Sequence, residues 1–308
     1  MPNTAEFPAY ATGERAALIR AVEGGRHQPA LRVEKSSLHT IVVDGRRIAY
    51  REVGDADAPA VVMAHCSGGS HREWVALSQE LSGRYRVIVP DLIGYGASEP
   101  WPANAPLRSF ADVDVLVAFA RLSRRPVHLV GHSYGGAVAL DAARVLGARV
   151  RSLTLIEPVA FHLLKPLGRI SEWYEIHSLG ERMLKAMRLR QDREAARLFT
   201  RYWLGAWSWV LMSRRARDRV VATIGKVAAE FEALDRRDES PADYRNVTAR
   251  TQLIVGSRTQ RSARAVVEEL LLLLPNVTVR ELKGAGHMSP MTHPREVNEL
   301  IAAHLGSE

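Results

Sequence analysis

Cysteine is all but missing from this 308-residue chain. Cys66 stands alone, so neither an internal disulfide nor a cysteine-based metal site can hold the fold, and an apolar core must do so. A reducing compartment, the cytoplasm, is the matching expectation. Lysine is scarce as well: only Lys35, Lys165, Lys185, Lys226 and Lys283 stand among the 42 basic residues. The net charge of +8 is therefore mostly arginine spread along the chain, without the concentrated stripe or recognition module of a nucleic-acid-binding protein. One denser region places Arg193, Arg197 and Arg201 four apart on one helix face, the ordinary pattern of a solvated surface and also one that attracts an anionic substrate. Long hydrophobic runs are lacking: stretches such as Leu270–Leu274 fall far short of the roughly 20 residues that cross a bilayer. The charged first 30 residues hold no apolar segment of signal-peptide length, and residues 1–37 read as a helical extension. Glycine and proline, at 22 and 15, are too few for a disordered or collagen-like chain, and 46% hydrophobic content fits a compact globular fold.

The positive signals begin with hydrophobic period. Thr40–Val43 and Ile48–Val53 alternate around Asp44-Gly45, which is a hairpin pattern. Short, nearly continuous apolar runs follow at Ala60–Ala64, Val87–Val89, Val127–Val130 and Leu153–Ile156, as expected of strands buried on both faces of a parallel sheet. Helical patterns separate them at about 72–82, 110–123 and 134–146, so strand and helix alternate as in an α/β fold. From 161 to 245 the rhythm changes to long helical patterns carrying most of the tryptophans. The sheet resumes at Gln252–Val255 and Val277–Leu282, with helices at about 262–274 and 294–305. The expected organisation is an extension (1–37), a split α/β core (38–160 and 246–308) and a helical insertion (161–245).

Gly131-His132-Ser133-Tyr134-Gly135 stands between a strand run and a helical pattern. A G-x-S-x-G sequence in that context suits a sharp turn that presents the serine hydroxyl, with small residues on either side to avoid backbone collisions. A serine nucleophile needs a base, and His287, in Gly284-Ala285-Gly286-His287 after the last strand run, is the candidate. Of the other histidines, His293 sits at the start of the last helix, while His65 and His132 lie beside the candidate loops and suit local hydrogen bonding.

Together with Ala64-His65-Cys66-Ser67-Gly68-Gly69 and Pro90-Asp91-Leu92-Ile93-Gly94-Tyr95-Gly96, these motifs make residues 38 to 306 resemble an α/β-hydrolase with a helical cap. The resemblance implies an eight-stranded, mostly parallel sheet, a Ser133–His287 pair completed by an acid, and an oxyanion hole built from the amides of Ser67 and Tyr134. Cys66 replaces the family's usual glycine there. The family's acid commonly follows the seventh strand, but this chain has Gly256-Ser257-Arg258-Thr259-Gln260-Arg261 at that place, without a carboxylate. Glu157, at the end of the sixth strand run and before Pro158, is the candidate acid, as in some haloalkane dehalogenases and lipases; a helix-start charge or a salt bridge to the arginines of the insertion is the other reading. Asp91 ranks next, as a residue that is normally structural in the family.

Phe161, His162, Trp203, Trp207 and Trp209 are candidates to line an apolar acyl or aromatic pocket, although aromatics at helical spacing equally well pack the insertion itself. The expected activity is cofactor-free and metal-free hydrolysis of an ester, thioester or lactone through an acyl-enzyme on Ser133. A ligand-binding receptor on the same fold, an acyltransferase and a C–C hydrolase are the alternatives; epoxide hydrolysis and dehalogenation are disfavoured because their elbow nucleophile is aspartate. No nucleic-acid partner is expected, and a homodimer is left open.

Overall fold

A computed structural model of the chain describes residues 38–101, 111–235, 237 and 239–307. The expected 1–37 extension and the first residue of the 110–123 helix lie outside the described residues.

Eight strands form one sheet in the order β1-β2-β4-β3-β5-β6-β7-β8. The hairpin expected at Asp44-Gly45 joins β1 (His39–Val43) to β2 (Arg46–Val53), and β2 pairs antiparallel with β4 (Arg86–Pro90). All further pairings are parallel: β3 (Ala60–Ala64) with β4 and β5 (Val127–His132), then β6 (Val150–Ile156), β7 (Arg250–Gly256) and β8 (Val277–Leu282) in turn. β3 and β5 are buried at every residue, which explains why their sequences are apolar without alternation. β8 is mostly exposed, as an edge strand carrying Arg280 and Glu281 can be.

Helices cover both faces. α1 (Val75–Leu81) is preceded by a 3-10 turn, His71–Trp74, rather than forming one helix from 72; the Ser70 hydroxyl caps that turn through the Arg72 N–H. α2 (Ala111–Leu122) and α3 (Tyr134–Leu146) lie next, and α3 runs through the core with all but two of its residues buried. The helical insertion between β6 and β7 holds α4 (Ile170–Arg188), α5 (Asp192–Leu204), the short α6 (Ser208–Leu211) and α7 (Arg214–Asp235). α8 (Arg261–Leu273), the short α9 (Ser289–Thr292) and α10 (Pro294–Gly306) complete the fold. Among the described residues no helix is long and apolar enough to cross a membrane.

The parallel topology sets the location of the candidate site. Ser67 follows β3, Ser133 follows β5, Glu157 follows β6, Thr259 follows β7 and His287 follows β8, so residues far apart in sequence meet at the carboxyl ends of adjacent strands.

Candidate active site

Ser133 occupies a left-handed turn, with φ 55° and ψ −118°, between β5 and α3. Two neighbours must be glycine for that turn to close. A Cβ at Gly131 would stand 2.2 Å from the Gly135 carbonyl oxygen, and one at Gly135 would stand 2.5 Å from the carbonyl oxygens of Ala64 and His65. Strain of this kind is held by surrounding bonds: the Ser133 N–H donates to the Ile156 carbonyl, while its own carbonyl accepts from Gly136, Ala137 and Val159.

The Ser133 hydroxyl lies 2.9 Å from Nε2 of His287, and Nδ1 of His287 lies 3.2 Å from Oε2 of Glu157. All three residues are buried. Burial holds the His287 imidazole below its ordinary range, partly offset by its hydrogen bond and charge interaction with Glu157, so the ring is neutral and able to accept a proton. Glu157 also has positive φ, 49°, which turns the chain sharply at the end of β6. Its Oε1 accepts the Gly256 N–H at 2.7 Å, and its Oε2 accepts the Thr259 hydroxyl as well as the imidazole N–H. The carboxylate is thus met by three donors. Thr259, in the place where the resemblance led one to expect an acid, is a hydrogen-bond donor to an acid arriving from the neighbouring strand.

Beneath this relay the sequence marks His132 for local hydrogen bonding but gives no sign of its partner, Glu73. His132 Nδ1 lies 2.6 Å from Oε1 of Glu73, and its Nε2 lies 2.9 Å from the His287 carbonyl oxygen. Both ring nitrogens face acceptors, a demand met by an imidazolium. Burial pulls its pKa down, but the Glu73 charge and hydrogen bond outweigh this and raise it. Glu73 also accepts the Cys66 N–H at 3.0 Å, linking the Ser67 loop to the backbone of the candidate base. Cys66, Glu73 and His132 have potential ligand atoms within 4.8 Å of one another. Glu73 is engaged there by the His132 ring and the Cys66 N–H, and burial pushes the Cys66 thiol well above its usual range. His65, by contrast, takes a single neutral tautomer, donating from Nδ1 to the Cys66 carbonyl and accepting the Leu92 N–H at Nε2. Asp91 accepts N–H bonds from His71 and Ala97 and holds the loop after β4.

The candidate pocket aromatics separate into two groups. Trp203 stacks on the His287 ring, with centroids 3.7 Å apart and planes at 24°, and Phe161 stacks on Trp203 at 6.4 Å. Trp207 is a correction: it is 63% exposed. A spacing of four would place it beside Trp203, but Gly205, at φ 91°, ends α5 after Leu204 and turns the chain away. Trp209 is buried within the insertion, with the Arg193 guanidinium 5.7 Å from its ring. His162 is tied into packing, its Nε2 2.8 Å from the Tyr244 hydroxyl, which in turn donates to Asp141.

Among proteins of known sequence, the chain is 29% identical over 265 residues to the dihydrolipoyllysine-residue acetyltransferase component of the acetoin cleaving system of Cupriavidus necator, covering 86% of this chain and 68% of that protein. It is 39% identical over 93 residues to the magnesium-chelatase 30 kDa subunit of Rhodobacter capsulatus, covering 30% of this chain and 32% of that subunit. In structure it resembles a hydrolase from Pseudomonas aeruginosa (TM-score 0.70, 24% identity, 88% of this chain and 99% of the other). It also resembles the enol-lactonase from Burkholderia xenovorans (TM-score 0.68, 20% identity, 87% and 100%). The pattern that describes the alpha/beta hydrolase family matches residues 61–300, most of the chain. This protein therefore belongs to the alpha/beta hydrolase family and is a hydrolase.

Proposed function

We propose that the protein is a cofactor-independent serine hydrolase that cleaves an ester, thioester or lactone through an acyl-enzyme on Ser133. The observation that carries this reading is the buried relay from the Ser133 hydroxyl through both nitrogens of His287 to Glu157. His287 takes the Ser133 proton as the oxygen attacks the acyl carbon, and Glu157 fixes the tautomer and stabilises the imidazolium that forms. The amides of Ser67 and Tyr134 meet the developing oxyanion, His287 returns the proton to the leaving group, and water then releases the acyl chain by the same steps in reverse order. Trp203, stacked on the ring, presents a π face to the same imidazolium and excludes water from it. Phe161 and Trp203 supply an apolar wall for the acyl or ring portion of the substrate. Names attached to the relatives, an acetyltransferase component and an enol-lactonase, agree with acyl chemistry without fixing one substrate.

The receptor alternative rested on the missing carboxylate after β7. A Glu157 carboxylate 3.2 Å from the imidazole removes that motive. The test is rapid mixing with p-nitrophenyl esters of short and medium acyl chains. The expected result is a burst of p-nitrophenol equal to the enzyme concentration that vanishes in Ser133→Ala. Release that does not depend on Ser133 rejects the reading.

A further inference from the structure

The two residues whose amides form the proposed oxyanion hole are joined through their side chains by one turn of the helical insertion. The Ser67 hydroxyl donates to Oε2 of Glu230 at 2.6 Å. Oε1 of Glu230 accepts the Tyr95 hydroxyl at 2.7 Å and lies 3.4 Å from Nζ of Lys226. Lys226 donates at 2.7 Å to Oδ2 of Asp112, which also accepts the Tyr134 hydroxyl at 2.8 Å. Asp112 accepts the Ile93 N–H at its other oxygen. Lys226 and Glu230, four residues apart on α7, point to the same side of that helix and bridge the two loops.

Asp112, Lys226, Glu230 and Tyr134 are all buried. Two carboxylates and one ammonium taken out of water cost more than a well-packed apolar cluster would, so stability alone is a weak reason for them. Their placement supplies a better one. The same helix also meets the Ser67 loop at Gly68, φ +71°, where a Cβ would stand 3.5 Å from the Thr223 hydroxyl oxygen.

We propose that Glu230 is a positioning residue: by holding the Ser67 hydroxyl it aims the Ser67 amide at the developing oxyanion, so that the hole is complete only when α7 of the insertion is seated. Lys226, through Asp112, does the same for Tyr134. This rests on the acyl-enzyme reading above.

The experiment is a double-mutant cycle with Ser67→Ala, which keeps the amide and loses the hydroxyl, and Glu230→Ala, read as kcat and KM on a p-nitrophenyl ester with Tm measured alongside. Losing one oxyanion donor outright costs about 10²–10³ in kcat, so a misaimed donor should cost roughly 10- to 100-fold, with KM changed little. Ser67→Ala and Glu230→Ala are each expected to fall in that range, and the double variant is expected to be no slower than Glu230→Ala alone, because both remove the same link. Glu230→Gln retains an acceptor for the Ser67 hydroxyl and should recover most of kcat. If Glu230→Ala does not fold, the Ser67→Ala and Glu230→Gln pair carries the same test, with the Ser67→Ala loss as the deciding value. Multiplying losses in the double variant, an unchanged kcat in Ser67→Ala, or a Tm loss without a kcat loss each overturn the proposal. Absence of a Ser133-dependent burst in the unmodified protein instead overturns the acyl-enzyme reading and this proposal with it.

Discussion

Glu157→Gln tests the relay at its most exposed point of logic. The carboxylate accepts three donors: the Gly256 N–H, the Thr259 hydroxyl and the His287 Nδ1–H. An amide of the same shape has one accepting oxygen and one donating nitrogen, so it must choose. With its NH₂ toward Gly256, two buried N–H groups face each other, an arrangement that costs about 1–3 kcal/mol for the unsatisfied donor. With its oxygen toward Gly256, the NH₂ faces His287, and the imidazole answers by moving its proton to Nε2 and accepting at Nδ1. This second arrangement is the less costly, and it leaves the chain folded with a proton on the nitrogen that, in the proposed reaction, has to receive one from Ser133. The same mis-set tautomer in a serine protease lowers kcat by about 10⁴, or about 5.5 kcal/mol at about 1.4 kcal/mol per tenfold. Single-turnover release from a p-nitrophenyl ester, with circular dichroism and Tm as controls for folding, measures it. A folded Glu157→Gln variant that acylates within about tenfold of the unmodified rate would refute the assignment of Glu157, since that is far less than a tautomer error costs.

Trp203→Leu is expected to lower kcat by roughly tenfold, the equivalent of about 1–2 kcal/mol of ring–cation attraction in a dry site, while Trp203→Phe keeps most of it. Equal losses in the two variants, or a change in KM alone, would show that the stack serves packing or binding only. Stability should fall on the acid side of neutrality for a reason independent of the site. Burial, with nearby arginines, lowers His128 to about 4, His162 to about 3 and His304 to about 4 from 6.5. Their folded values are depressed, so their contribution is complete above 6.5 and is lost as pH falls toward about 4, because the unfolded chain takes up protons first. Thermal melts from pH 7.5 to 4.5 should show Tm falling, with a smaller fall in His128→Gln; a flat Tm would contradict the buried neutral state of these rings.

Strand runs, the turn at Ser133 and the loop at His287 were legible in the sequence because local physics writes them there. A parallel strand buried on both faces must be apolar throughout, and an elbow where a Cβ on either flanking residue would stand 2.2 to 2.5 Å from a backbone oxygen must have glycine on both sides. Trp207 misled because periodicity assumes an unbroken helix, and Gly205 breaks it. The pairing of Glu73 with His132 was hidden for a different reason: 59 residues separate them. The same holds for Lys226 and Asp112, 114 residues apart, and a lysine and a glutamate four apart on a helix ordinarily mark a wet face. Only the seating of the insertion on the Ser67 and Tyr134 loops turns that pair inward.

Thr259 holds a carboxylate that the neighbouring strand supplies. β6 and β7 pair in parallel, with Ile156 opposite Ile254, so the ends of both strands come to the same edge of the sheet. The end of β7 offers an amide, Gly256 N–H, and a hydroxyl, Thr259, both pointing at a carboxylate. A carboxylate reaching that point can come from either strand, because the imidazole is sensitive to where the negative charge lies and not to which strand supplied it. Glu157 arrives from β6 through a left-handed backbone turn at φ 49°, an uncommon conformation for a glutamate that three donors on its side chain can stabilise. Thr259→Val, which removes one of those donors without removing the acid, therefore separates the holding of the carboxylate from its charge.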